Sequence, residues 1–294
     1  MIPNIGYIHA LTAYFIWGLF PLYWSQLRSF NALDIMSLRV IGGGLILSLF
    51  FMLKKKKSIR IEHIRKNLVP LIGTSLFLGL NWSLYIWAVV NGHIVETSLA
   101  YFLSPLFKVA MGLIFLKEVV TKNQKRALFL VLMGVCIFAI DGIGSLWIVL
   151  VMAFSFSLLG LYRKKYEIKA FEGLLFEHLF LIIPFFIYNN YWGRPLHEIF
   201  LYASGRDLFF LSCAGVVSVA PLLFFGKALS TLKLGEVALI QYLAPTMQLF
   251  TGVYIYAEPF GLVKMVSFSV VWLGLIYYFP IPKMAHLFSR SYKF

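Results

Sequence analysis

Lys108 lies inside the apolar stretch that runs from Glu96 to Leu116, about 12 residues or roughly 18 Å of helix from its start. An ammonium so placed cannot easily snorkel to an interface, so it needs a counter-charge or an anionic ligand. Tyr101, Ser104 and Pro105 share its helical face at spacings of three and four. Two more apolar stretches carry ionisable side chains, Arg39 in one and Glu177, beside His178, in the other. Glu177 is the expected partner of Lys108, with Arg39 as the competitor. A structural ion pair and a proton-coupling carboxylate are both open for it. Asn81 and Tyr85 stand one helical turn apart, flanked by Trp82 and Trp87, and Tyr14 and Trp17 form a comparable face. Aromatic walls with a few hydrogen-bonding groups suit a flat organic solute better than a bare ion. Core packing and interfacial belts are the competing uses in a chain that is 18% aromatic.

These side chains need lipid-embedded helices to hold them. The 294 residues are 61% hydrophobic and 13% charged, too apolar for a water-soluble domain and too ordered in pattern for a disordered one. Ten apolar runs are expected to span a membrane, over residues 5–25, 33–53, 68–90, 96–116, 126–141, 145–162, 172–190, 207–228, 236–256 and 259–280. The fold class is therefore an all-α polytopic membrane protein. The first run follows Met-Ile-Pro-Asn-Ile-Gly-Tyr, without a basic segment or a cleavage site after it, and is expected to be a retained helix. Asp141-Gly-Ile-Gly144 is turn-like, and Glu258 followed by Pro259 suits the first turn of a helix. Pro105 and Pro245, with Pro21, Pro184 and Pro221, could free carbonyls towards a ligand or only kink their helices. Gly42, Gly43 and Gly44 permit close helix packing.

The net charge is +14. Of 26 basic residues, 20 fall in the loops after even-numbered runs or in the tail 281–294, three in the loops after odd-numbered runs, and three (Arg39, Lys108, Lys264) within runs. That bias places both termini in the cytoplasm and makes a nucleic-acid partner unnecessary. Lys54 to Lys57, with Arg60, Arg65 and Lys66, could also touch anionic lipid. Cys136 and Cys213 are isolated in apolar stretches and indicate neither a disulfide nor a metal site. There is no phosphate-binding Gly-rich loop ending in Lys-Ser/Thr, no His-Glu-x-x-His and no Cys-x-x-Cys. No cofactor is expected, and any transport is gradient-driven or facilitated.

Shifting the chain by 140 residues places Glu96, Leu99, Leu103, Pro105, Gly112 and Glu118 on Glu236, Leu239, Leu243, Pro245, Gly252 and Glu258. The chain thus reads as a duplication, 5–141 and 145–280, with five helices in each half. An odd number inverts the second half relative to the first, the architecture of secondary transporters that expose a midplane site to each side in turn. The shift maps Tyr101 onto Gln241 and Lys108 onto Gln248. Different residue types on matched faces fit a shared cavity, although polar groups that merely join helices do the same. The glutamates have plainer uses: Glu96 and Glu236 open helices, Glu258 precedes one, and Glu118 lies among lysines.

The stretches Asn81-Trp-Ser-Leu-Tyr-Ile-Trp-Ala-Val-Val-Asn-Gly-His93 and Glu96-Thr-Ser-Leu-Ala-Tyr-Phe-Leu-Ser-Pro-Leu106 strongly resemble RarD-type proteins of the EamA branch of the drug/metabolite transporter superfamily. So do Tyr14-Phe-Ile-Trp-Gly18, Gly160-Leu-Tyr-Arg-Lys-Lys165, Pro221-Leu-Leu and Gln241-Tyr-Leu-Ala-Pro-Thr246. The resemblance implies two inverted five-helix EamA repeats and a place in a bacterial inner membrane. It supplies no substrate. RarD proteins tend to have His-Arg where this chain has Leu38-Arg39, and Asn where it has Lys108. The added positive charge suits a small-molecule substrate with an anionic group. The leading expectation is a permease for small organic metabolites or drugs. An uptake carrier is the variant within that class, a non-transporting scaffold or regulator lies in another, and a membrane enzyme is disfavoured. Oligomeric state is not legible.

Overall fold

The computed structural model describes residues 5–53, 61–117, 121–168, 170–232 and 240–278, with residues 119 and 237. Glu118, Glu236, Leu239 and the tail 281–294 lie outside the described residues, as do Lys54 to Lys57 and Arg60. Among the described residues every regular element is helical. They are α1 (Ile5–Gly18), α2 (Phe20–Trp24), α3 (Ala32–Leu53), α4 (Ile61–Lys66), α5 (Leu68–Val90), α6 (Ile94–Leu116) and α7 (Lys122–Lys165). There follow α8 (Ala170–Tyr191), α9 (Leu196–Tyr202), α10 (Gly205–Leu229), α11 (Leu243–Phe250) and α12 (Leu262–Tyr278).

Among the described residues, seven helical runs are long and apolar enough to cross a membrane, and Leu262–Tyr277 is a shorter apolar helix. Their outer faces carry Leu45, Leu49 and Met52 on α3 and Phe129, Leu132 and Ile140 on α7, side chains that only lipid covers without cost. The protein is a polytopic membrane protein.

Three expected elements differ in form. The run 5–25 is not one helix: it breaks at Leu19, Pro21 opens α2, and a 3-10 turn closes it at Ser25–Leu27, because a proline ring fits a first turn but not a helix interior. The runs 126–141 and 145–162 are not joined by a loop. They are two helices that meet at a kink at Gly142 (φ −114°, ψ 25°) within the continuous stretch Lys122–Lys165, labelled α7 as a whole. At ~1.5 Å per residue one straight helix of that length would be about twice the bilayer core, so the chain must double back. Its first half runs antiparallel to α12, with the Ser267 hydroxyl donating to Gly134 O at 2.8 Å and Gly274 against Ala127. Its second half runs along α6, from Ser145 beside Glu96 to Ser157, which donates to Ser104 O at 3.1 Å. Third, in the run 236–256 the described residues Val237 and Ile240 are helical, Leu243–Phe250 form α11, and the chain then widens into a π turn over Thr251–Ile255.

Helix packing is interleaved along the chain. The second half of α7 lies against α5 and α6, while α1 packs on α10 and α11, and α3 lies against both α8 and α10. The glycine run on α3 makes close approach possible. Gly42 faces Gly215 on α10, Gly43 faces the His178 ring and Gly44 faces Ile182. A Cβ on Gly215 would lie 2.5 Å from Gly42 C, whereas a Cβ on Gly42 would lie 3.2 Å from Gly215 Cα. Gly215→Ala is therefore expected to cost about 1–3 kcal/mol of stability through overpacking, and Gly42→Ala distinctly less. Thermal unfolding of the detergent-solubilised variants measures the difference.

Candidate functional site

Helices α1, α3, α5, α6, α7 and α10 and the chain around α11 enclose a cavity of about 620 Å³. Eleven of the thirteen side chains singled out from the sequence line it. Tyr14 and Trp17 come from α1, Arg39 from α3, Tyr85 from α5, and Tyr101, Ser104, Pro105 and Lys108 from α6. Gln241, Pro245 and Gln248 line the opposite wall. The two faces matched by the 140-residue shift therefore look onto one space. Asn81 and Glu177 do not line it. Among the described residues no Asp or Glu lines it, while Arg39, Lys108, Arg163 and Lys227 do.

Arg39 is 2% exposed and has no carboxylate partner among the described residues. Its guanidinium lies 4.0 Å from the Trp82 ring centre, 5.3 Å from Trp24 and 5.8 Å from Phe20. Its Nε and Nη1 have no hydrogen-bond acceptor among the described residues, and the Tyr85 hydroxyl is likewise unpartnered. Stacking on indole stabilises a guanidinium while leaving its in-plane N–H groups free. Asn81, fully buried, stands behind this wall: its amide donates to Met152 O at 2.9 Å and Ser155 Oγ at 3.2 Å. Its Oδ1 accepts a long 3.5 Å bond from the Tyr101 hydroxyl. It positions a wall residue and helps join α5 to α7.

Lys108 folds its stem along α7, where only Gly160 leaves room; a Cβ there would lie 3.3 Å from Lys108 Cε. Its ammonium sits 4.2 Å from the Phe156 ring centre, and the Phe156 ring in turn meets Tyr101 edge-on at 6.0 Å. The expected pairing of Glu177 with Lys108 or Arg39 is corrected. Glu177, 0% exposed, is held by Arg163, whose Nε donates to Oε1 at 3.1 Å and whose Nη2 donates to Oε2. A guanidinium fork matches a carboxylate in two bonds where an ammonium gives one, and α7 delivers Arg163 to it. His178 Nδ1 bonds Leu174 O at 2.7 Å, and its ring lies edge-on to Trp82. The matched prolines differ too. Pro105 is inside α6, but Pro245 stands in the first turn of α11.

The end of the bundle away from Arg163 and Lys227 is tied shut by residues that the sequence reading gave plainer uses. Glu258 does not open a helix, since α12 begins at Leu262. The chain turns at Ala257 (φ 51°), and the Glu258 carboxylate accepts the N–H groups of Ile94 at 2.8 Å and Val95 at 2.7 Å. It caps α6 from 164 residues away. Burial pushes this carboxyl up, and the two N–H donors pull it part of the way back. Glu96 accepts Lys264 Nζ and the Ser145 hydroxyl, each at 3.0 Å. Tyr256 bonds Ser25 and carries Arg28 over its ring at 4.5 Å. Gln248 Nε2 donates to Trp17 O at 3.0 Å, and Ser98 donates to Pro245 O at 2.8 Å. The register of the glutamates under the 140-residue shift was the one available signal for this cluster.

The chain matches the EamA-like transporter family over residues 4–140. It is 34% identical over 280 residues to "Uncharacterized transporter YojE" of Bacillus subtilis, covering 92% of each chain. To "Protein RarD" of Salmonella typhimurium it is 36% identical over 279 residues, and to that of Escherichia coli 34% over 290, again with 92% of each chain covered. A protein of known crystal structure shares the fold with a TM-score of 0.61 at 15% identity, over 92% of this chain and 96% of that one.

Breaking the Arg163–Glu177 pair from one side leaves a carboxylate buried. Arg163→Ala is expected to cost about 3 kcal/mol, and the paired change Arg163→Met with Glu177→Leu much less. Thermal unfolding of the two variants separates these outcomes.

Proposed function

We propose, for a chain that belongs to the EamA-like transporter family among RarD-type relatives, that it is a secondary transporter carrying small organic solutes across a bacterial inner membrane by alternating access. Its family consists of transporters rather than enzymes. The observation that carries the reading is the cavity itself. It reaches from Arg39 and Tyr85 to Arg163 and Lys227 at the basic end, while the other end is tied by Tyr256, Glu258 and Glu96. A site open towards one side and sealed from the other is one state of an alternating-access cycle. The basic end is the cytoplasmic one on charge bias, which puts both termini in the cytoplasm.

Ten helices in two inverted halves, 5–141 and 145–280, complete this reading. Its supports are the 140-residue shift and the facing of Tyr101 and Lys108 by Gln241 and Gln248 across one cavity. The bend at Gly142 falls between the halves. The units that rock are interleaved, α5 and α6 with the second half of α7 against α1, α10 and α11. The walls between them are rich in aromatic side chains, with Tyr14, Trp17, Trp82, Tyr85 and Tyr101 among the lining, which suits a flat organic solute. Export and uptake follow equally from this geometry, and the gradients outside set the direction.

An unbiased metabolite screen by thermal shift on the solubilised protein, followed by flux into liposomes, tests the assignment. Lys108→Ala is expected to lower flux more than about tenfold, the scale of one lost charge-assisted contact, with the protein still in the membrane. Unchanged flux would make Lys108 structural. A protein that moves no member of the panel while a stoichiometric partner co-purifies would be a scaffold instead. Since Arg163 already holds Glu177, Glu177→Gln is expected to keep whatever proton-gradient dependence the wild-type flux has. Loss of that dependence would make Glu177 the coupling group.

A further inference from the structure

Arg39 is the most deeply buried cation in the cavity wall and the least satisfied one. Its guanidinium face is taken by Trp82, its Nε and Nη1 have no acceptor among the described residues, and it lines the cavity. The Tyr85 hydroxyl, a second donor, is unpartnered beside the same space. The buried carboxylates among the described residues have other partners: Glu177 binds Arg163, Glu96 binds Lys264, Glu258 caps the α6 N-terminus, Asp34 faces Tyr188 and Arg194, and Glu172 has a contact of its own. A second cation, Lys108, points at the other side of the same aromatic wall through Phe156 and Tyr101. Burial of a guanidinium with free N–H groups in a low-dielectric bundle is costly, and an anionic ligand offsets that cost.

We infer that Arg39 and Tyr85 form the head-group site for an organic carboxylate with a flat apolar body, held between Trp82, Tyr85 and Tyr101. The inference rests on the transporter reading above for its biological meaning, and names the substrate class of that cavity. A carboxylate is planar, carries one charge and accepts in its own plane, which matches the in-plane donors that a stacked guanidinium still offers. A dianionic phosphoryl group has three acceptor oxygens and asks for more donors than a guanidinium and one phenol provide. An amine meets four cations and no acid among the described lining residues. Lys108 lines the same cavity with its ammonium over the Phe156 ring and adds attraction for the anion.

The test is calorimetric titration of the full-length protein in detergent with three probes of one body and different head groups: benzoate, phenyl phosphate and benzylamine. Benzoate is expected to bind and benzylamine not to. Benzoate affinity is expected to fall by about tenfold or more in Arg39→Gln and severalfold in Tyr85→Phe. Should Arg39→Gln not fold, Arg39→Lys keeps the charge but loses the fork, and benzoate is again expected to bind several times more weakly. Unchanged affinity in the Arg39 variants, tighter binding of phenyl phosphate or benzylamine, or binding of none of the three would overturn the inference. Benzoate that binds through Arg39 but crosses no liposome under any gradient would leave this site standing and remove the transport reading.

Discussion

A charge buried in a lipid-embedded bundle has no water to fall back on, so its partner must be protein or ligand. This chain has 26 basic and only 12 acidic residues, and the way its buried carboxylates are distributed governs the rest. Glu177 is held by Arg163, Glu96 binds Lys264, and Glu258 caps α6. These three hold helices together at the two ends, and Asp34, also buried, faces Tyr188 and Arg194. What remains in the middle is a pair of cations, Arg39 and Lys108, stabilised by the faces of Trp82 and Phe156. The cavity is electropositive because the acids are used at its ends.

The same distribution divides the molecule mechanically. The ties at the end away from Arg163 join distant parts of the chain: Glu258 to Ile94 and Val95, Tyr256 to Ser25, Gln248 to Trp17. Most are single polar contacts at helix ends, which can exchange without disturbing a packed core. Closer to the centre the contacts are steric, such as Gly42 against Gly215, and a close-packed crossing tolerates rotation better than separation. The bundle is thus joined at one end by polar contacts and in the middle by backbone approach.

Much of this was legible beforehand, and the reasons are specific. Span positions follow from the length of apolar runs, which lipid thickness sets. The face shared by Tyr101, Ser104 and Lys108 follows from helical geometry, as does its counterpart through Gln241 and Gln248 once the 140-residue shift is seen. Glu177 was recognised as a paired group, but its partner was misassigned. Arg163 lies at a helix end among other basic residues and looked like one more topology signal. The long reach of an arginine side chain, and the direction in which α7 leaves its bend, are not written in local pattern. Glu258 was taken for a helix start because Pro259 follows it, a local rule overridden by a contact 164 residues away.

The sequence by itself determined that the chain lives in lipid, where its helices lie, which end is basic, and which two cations have no neighbour of opposite sign along the chain. These are properties of composition and period, and one dimension suffices to read them. Only the tertiary structure decided which carboxylate meets which cation, that the two helices of α7 meet at a kink at Gly142, and that the two polar faces enclose one cavity with no acid among its described lining residues. Such pairings depend on distances between helices remote in sequence, and the cost of a buried charge makes each of them conditional on all the others.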